Sequence, residues 1–154
     1  DAILAPGASA DHVLALTSLA LSTNSILEYE LGGPWDMIST ADPGPFNDHV
    51  LLTGGLVLGG TINITERPGG GFDNSPGATW LLMKANGPVS GTLAIGTAPA
   101  FADPSMHYAI ETTVDGQVLL TVVPEAGTAG LVASGLLLLL RRLRPRRKDL
   151  QSEI

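Results

Sequence analysis

Two glycine pairs, Gly54-Gly55 and Gly59-Gly60, bracket the apolar tripeptide Leu56-Val57-Leu58. Punctuation this tight makes the chain turn a corner every few residues. Strands of one long hairpin have no use for such spacing. A coiled β-solenoid does, because each of its rungs has short sides and tight corners. The flanking sequence alternates with the period of a strand. In Ile26-Leu27-Glu28-Tyr29-Glu30-Leu31, Leu27, Tyr29 and Leu31 face one way and the glutamates the other. Thr61-Ile62-Asn63-Ile64-Thr65 repeats the pattern with Ile62 and Ile64 inward. Further strands are expected at residues 50–52, 56–58, 79–83, 92–95, 108–113 and 117–123, separated by Gly, Pro, Asn and Asp.

The chain is loosely similar to itself. Val13-Leu14-Ala15-Leu16-Thr17-Ser18-Leu19-Ala20-Leu21 resembles Val50-Leu51-Leu52-Thr53-Gly54-Gly55-Leu56-Val57-Leu58, and another strand follows each. Units of this kind cannot bury a face alone and stack on their neighbours. The expectation is an all-β body, the terminal part of a right-handed β-solenoid, with a β-sandwich as the alternative. Two longer segments, Gly32 to Phe46 and Glu66 to Gly77, are too rich in Gly and Pro for a helix and are expected on the surface.

Composition agrees. Hydrophobic residues make up 44% of the 154 positions and aromatics only 5%, so Leu, Val, Ile and Ala must build a thin, repetitive core. With no Cys, disulfides and thiolate metal sites are excluded. The net charge of -7 is unevenly spread. Arg67 and Lys84 are the cations of residues 1–125, against thirteen carboxylates, whereas six Arg and Lys follow residue 125. Such an acidic body lacks the clustered cations that nucleic acid requires. The start at Asp1, without Met, suggests the C-terminal part of a longer precursor with a signal peptide upstream.

The end of the chain has its own chemistry. Val123-Pro124-Glu125-Ala126 precedes an uncharged run, Gly127 to Leu140, and then Arg141-Arg142-Leu143-Arg144-Pro145-Arg146-Arg147-Lys148. A helix over residues 126–140 spans roughly 22 Å, short of the ~30 Å hydrocarbon core. Including Arg141, Arg142 and Leu143 extends it to roughly 27 Å, enough with snorkelling and slight thinning. The positive-inside rule then places the C-terminus in the cytoplasm and the body outside the inner membrane. A buried core helix with a basic end is the competing reading. The expected organisation is therefore a β-strand-repeat domain over 1–122, a sorting segment over 123–148 with its transmembrane helix at 127–143 and basic end at 141–148, and a polar tail at 149–154.

Residues 122–148 resemble the PEP-CTERM protein-sorting signal, a segment also labelled an ice-binding-protein C-terminal domain. Ala126 stands where that motif has its second Pro. The resemblance implies recognition by an exosortase, with cleavage near Pro124-Glu125. In the body, Leu4-Ala5-Pro6-Gly7, Leu19-Ala20-Leu21, Ser25 to Leu31 and Asp48 to Thr65 resemble the terminal rungs of autotransporter-associated β-strand repeat proteins. That resemblance implies a secreted β-solenoid at the cell surface and no reaction.

No residue set points to catalysis or a cofactor. His12, His49 and His107 share no ligand spacing and read as surface or strand-edge residues. Asp36, Asp42, Asp48 and Asp73 follow no calcium-loop pattern and read as solvated loop carboxylates. Asn63-Ile64-Thr65 fits a glycosylation sequon but reads as an outward Asn and Thr of a strand. No Gly-x-Ser-x-Gly elbow occurs. Trp35, Trp80 and Tyr29 are aromatic candidates for stacking on sugar rings, with Trp35, in a loop, the favoured glycan contact. The expected function is non-enzymatic: a secreted or cell-envelope structural or adhesive protein, held at the inner membrane by Val123, Pro124, Glu125, Ala126 and the stop formed by Arg141, Arg142, Arg144, Arg146, Arg147 and Lys148. An exosortase and an exopolysaccharide are its expected partners. The alternatives are a carbohydrate-binding or polysaccharide-active protein whose main groove lies upstream, and an unprocessed single-span membrane protein.

Overall fold

The computed structural model describes residues 2–8, 13–34 and 47–125. The chain divides into two compact units, Asp1–Pro124 and Glu125–Ile154, of which the first carries the described elements. These are β1 (Ile3–Leu4), a 3-10 turn (Pro6–Ala8), β2 (Val13–Leu16), β3 (Leu19–Ala20), β4 (Ile26–Leu31), β5 (His49–Leu52), β6 (Leu56–Leu58), β7 (Thr61–Glu66), β8 (Thr79–Ala85), β9 (Val89–Gly91), β10 (Ala94–Ile95), β11 (Met106–Thr112) and β12 (Gln117–Pro124). The described unit is all-β apart from that one turn.

Three sheets form, with orders β1-β4-β7-β10, β11-β12-β8-β5-β2 and β3-β6-β9. From β1 to β10 the chain visits the first, second and third sheet in turn, so every third strand returns to the same sheet and pairs in parallel with its predecessor. Val50 pairs with Met83, Leu56 with Val89 and Thr61 with Ala94, each 33 positions apart. Below them the offsets are 36 for Val13 and His49, 37 for Leu19 and Leu56, and 35 for Ile26 and Thr61.

The pairing corrects the register suggested by self-similarity. Val13 meets His49, and it is Leu14 that meets Val50. The physical reason is parity. A one-residue slip would turn Leu14 and Leu16, which pack on the core, outward and bring Val13 and the small Ala15 inward, and the extra residue in the corner Thr53-Gly54-Gly55, compared with Thr17-Ser18, absorbs the difference before Leu19 meets Leu56. Two strands lacked a legible signal. β1 is only two residues long, and β9, Val-Ser-Gly, has no apolar alternation. The strand expected at 92–95 shortens to Ala94–Ile95.

The core lies between the sheets. Leu27, Tyr29, Leu31, Ile62 and Ile64 enter it from the first, Val50, Leu52, Trp80, Leu82, Val118, Leu120 and Val122 from the second, and Leu56 and Leu58 from the third. The inward faces expected for Ile26–Leu31 and Thr61–Thr65 are those observed. At the second sheet the parallel order stops. β12 pairs antiparallel with β8, and β11 antiparallel with β12. The hairpin sends Met106, Tyr108 and Ile110 against the core. The β12–β8 ladder carries a bulge. Val118 pairs with Met83 but Leu119 with Leu81, which leaves Leu82 unopposed.

Candidate functional site: one corner of the sheet stack

Connections from the second sheet to the third, and from the third to the first, are at most five residues long. Connections from the first to the second are longer, at residues 5–12, 32–48, 67–78 and 96–105. Insertions in stacked repeats collect on one face in this way, and that face often binds. The corner is built with care. Arg67 N donates to Leu31 O at 2.9 Å and Gly33 N to Gly70 O at 2.6 Å. Asn47 accepts from Gly32 N at 2.7 Å and donates to Gly33 O at 3.0 Å. Trp80 Nε1 donates to Gly32 O at 2.9 Å. Asn74 Nδ2 reaches Ala100 O at 3.1 Å, joining the second long connection to the third.

Aromatic pairs line this corner. The Phe72 ring stacks on Trp80 with centroids 4.9 Å apart, and Phe101 tilts against Tyr108 at 4.4 Å. Burial raises the Tyr108 phenol above its ordinary range, with Asn74 opposing the shift and Glu66 adding to it. The Asp103 carboxyl is held below its ordinary range by hydrogen bonds from the Ser105 backbone and hydroxyl.

Several sequence expectations are corrected here. Asp48 is not a solvated loop carboxylate. It is 1% exposed, and its Oδ2 accepts from Glu30 N at 2.8 Å. A Cβ on Gly7 would overlap its carboxylate, so the missing side chain at residue 7 makes the room. His49 is likewise buried, its Nδ1 3.4 Å from Asn47 O, whereas His107 is exposed on the edge strand β11 as expected. Trp80 and Tyr29 are closed to sugar, being 0% and 1% exposed. Burial, reinforced by Asp48, drives the Tyr29 phenol far above its ordinary range. Asn63 does face outward, but its amide is engaged. Nδ2 donates to Glu28 at 2.9 Å and Oδ1 accepts from Thr97 N at 2.9 Å. Missed altogether were Phe72 and Phe101, lone phenylalanines in loops whose only signal is that both loops carry one.

Of the sorting motif, Val123 and Pro124 are the last residues of β12, opposite His107 and Met106, and Glu125 follows exposed. Ala126, the span at 127–143, Arg141, Arg142, Arg144, Arg146, Arg147 and Lys148 lie outside the described residues, as do Trp35, His12, Asp36 and Asp42. Among the described residues no helix is long and apolar enough to cross a membrane, and no three His, Asp or Glu side chains gather as metal ligands. Two clefts open beside the hairpin. One of about 290 Å³ runs past Leu58, Leu93, Ile95 and Ile110, and one of about 440 Å³ lies between Asn86-Gly87-Pro88 and the turn Thr113 to Gly116. Asp115 is the one titratable residue lining either cleft.

No family model matches the chain, so the likeness of residues 122–148 to a sorting signal rests on those residues alone. Over 121 residues, 78% of its length, the chain is 36% identical to the Adhesin BmaC autotransporter of Brucella suis biovar 1 (strain 1330). It spans about 3% of that protein. In sequence, this chain is similar to a small part of an autotransporter adhesin.

Proposed function

We propose that the chain is the terminal part of a right-handed β-solenoid serving as a non-enzymatic structural or adhesive segment of a bacterial envelope protein. The observation that carries this reading is the common offset of 33 positions in all three ladders between β5–β7 and β8–β10. A chain that advances equally on three faces suits a stacked repeat, in which each unit leans on its neighbours. Parallel pairing favours that arrangement over the antiparallel sheets of a sandwich. The likeness to an autotransporter adhesin supports a surface location and an adhesive role. The tail supplies delivery in this reading. Residues 127–143 hold the protein in the inner membrane with its body outside, an exosortase cuts near Pro124-Glu125, and exopolysaccharide is the matrix partner.

Beads coated with the full chain should adhere to cells and to exopolysaccharide-rich biofilm more than beads coated with an unrelated β-protein. Equal retention would overturn the adhesive role. The mass of the mature C-terminus tests the sorting role. Truncation near Pro124-Glu125 is expected only in cells that make an exosortase, and the same C-terminus with and without that enzyme counts against it.

A further inference from the structure

The connections 67–78 and 96–105 occupy the same corner on successive turns of the chain and share a local build. Each carries a phenylalanine packed on an aromatic ring of the strand that follows, Phe72 on Trp80 and Phe101 on Tyr108. Each continues into an Asp-x-Ser turn. Asp73 Oδ1 accepts from Ser75 N at 3.0 Å, and Asp103 Oδ1 accepts from Ser105 N at 2.9 Å and Ser105 Oγ at 2.8 Å. Asn74 ties the two loops together through Ala100 O. Trp80 is 0% exposed, while Phe72 above it, parallel to within 10°, is half-buried. The Phe72 ring thus lays one face on Trp80 and remains partly open to solvent. Phe101, tilted by 39° against Tyr108, is also half-buried.

We propose that this corner is a binding ridge for an uncharged polysaccharide, with Phe72 and Phe101 as stacking platforms for sugar rings and the exposed carboxylates of Asp73 and Asp103 as acceptors for their hydroxyls. The proposal rests on the adhesive reading above and gives it a ligand class. A flat aromatic face beside fixed acceptors matches the two sides of a sugar, its C–H face and its hydroxyl rim. Two like subsites on adjacent turns suit a polymer of like units. The charge of the corner selects the kind of polymer. Glu66, Asp73 and Asp103 are all exposed there, and Arg67 already has an interaction partner. An anionic chain would meet like charge.

Affinity electrophoresis of the full chain tests this, in gels containing dextran, xylan or laminarin as neutral probes and alginate as the anionic one. At least one neutral polymer is expected to slow migration, and alginate is not. Phe72→Ala and Phe101→Ala should each weaken that retention about tenfold. Phe72→Leu keeps an apolar cover on Trp80 but removes the flat face. It should weaken retention as much as Phe72→Ala while keeping the urea midpoint close to wild type. Retention unchanged in Phe72→Leu, retention by alginate alone, or no retention by any neutral polymer would overturn the ridge. Bead adhesion that persists although no neutral polymer retains the chain would leave the adhesive reading standing and sink this one.

Discussion

At the scale of single residues, the most informative contact joins two sheets across the core. The bulge in β8 leaves Leu82 without an opposite residue in β12, and the Tyr29 hydroxyl, from β4, donates to Leu82 O at 3.1 Å. A buried hydroxyl needs a partner, and the Leu82 carbonyl supplies it, so the bond ties the first sheet to the second. Tyr29→Phe should destabilise the fold by about 1 kcal/mol, measured as a fall in the urea midpoint, because the hydrogen bond that ties the two sheets would be lost. A pH effect follows from the same burial. The folded state holds the phenol protonated, whereas in the unfolded chain tyrosine ionises near pH ~10. The unfolded state then binds fewer protons, so stability is flat below about pH 10 and falls as pH rises further. Urea titrations between about pH 8 and 11 should show that slope, reduced in Tyr29→Phe. Tyr108, shifted in the same direction, adds to the slope. The inward position of Tyr29 was legible from the alternation of Ile26–Leu31. Its partner was not, because Leu82 lies 53 positions away and meets Tyr29 only when the first and second sheets pack.

At the scale of elements, corners decide how closely successive turns approach. Gly60, between β6 and β7, has φ +84, and a Cβ there would strike the Ser25 carbonyl of the turn below. Gly60→Ala should therefore cost about 2 kcal/mol or more, combining left-handed strain with a backbone clash. Gly69 offers the control. Its φ is +72, but nothing lies within 4 Å of an added Cβ. Gly69→Ala should cost only the conformational part, about 1 kcal/mol. Melting temperatures of the two variants should fall in that order, and equal falls would show that close approach at Gly60 contributes nothing. The pairs Gly54-Gly55 and Gly59-Gly60 thus announced their corners in the sequence, while the register around them did not follow from similarity. Val13 and Val50 look equivalent, yet parity and one extra corner residue place Val13 beside His49.

At the scale of the whole described unit, the two ends of the stack differ. On one side β11 and β12 cover the last turn of the second sheet. On the other, β1, β2 and β3 are all sheet edges. Leu14, Leu16 and Leu19 are only half-buried there, whereas Val50, Leu52 and Leu56, one turn further in, are 0%, 3% and 1% exposed. Ile3 on β1 is 69% exposed. Sheet edges with exposed apolar side chains accept further strands, which suits the stacking of another turn on this side, and a lysine on the edge blocks them. Ile3→Lys should reduce concentration-dependent association, read by light scattering, with little change in the urea midpoint. In the covered middle, Leu120→Ala should destabilise by about 2–5 kcal/mol, because its side chain is fully enclosed and the site cannot collapse around the loss.

By itself the sequence determined the strand class, the inward faces of the clearest strands, the tight corners and the acidic body, because each is written in nearest-neighbour order: alternation, glycine spacing and charge count. Only the tertiary structure decided which strands share a sheet, which register they take and that the last two reverse direction, because those depend on contacts tens of residues apart. It also decided which polar and aromatic residues are spent on the fold. Asp48, His49 and Trp80 read as surface or ligand candidates until packing enclosed them, and Phe72 and Phe101 drew no notice until the long connections met at one corner. The glycine pairs promised frequent corners; the pairing showed that only one corner of the stack carries the long connections, and that is where the aromatic rings gather.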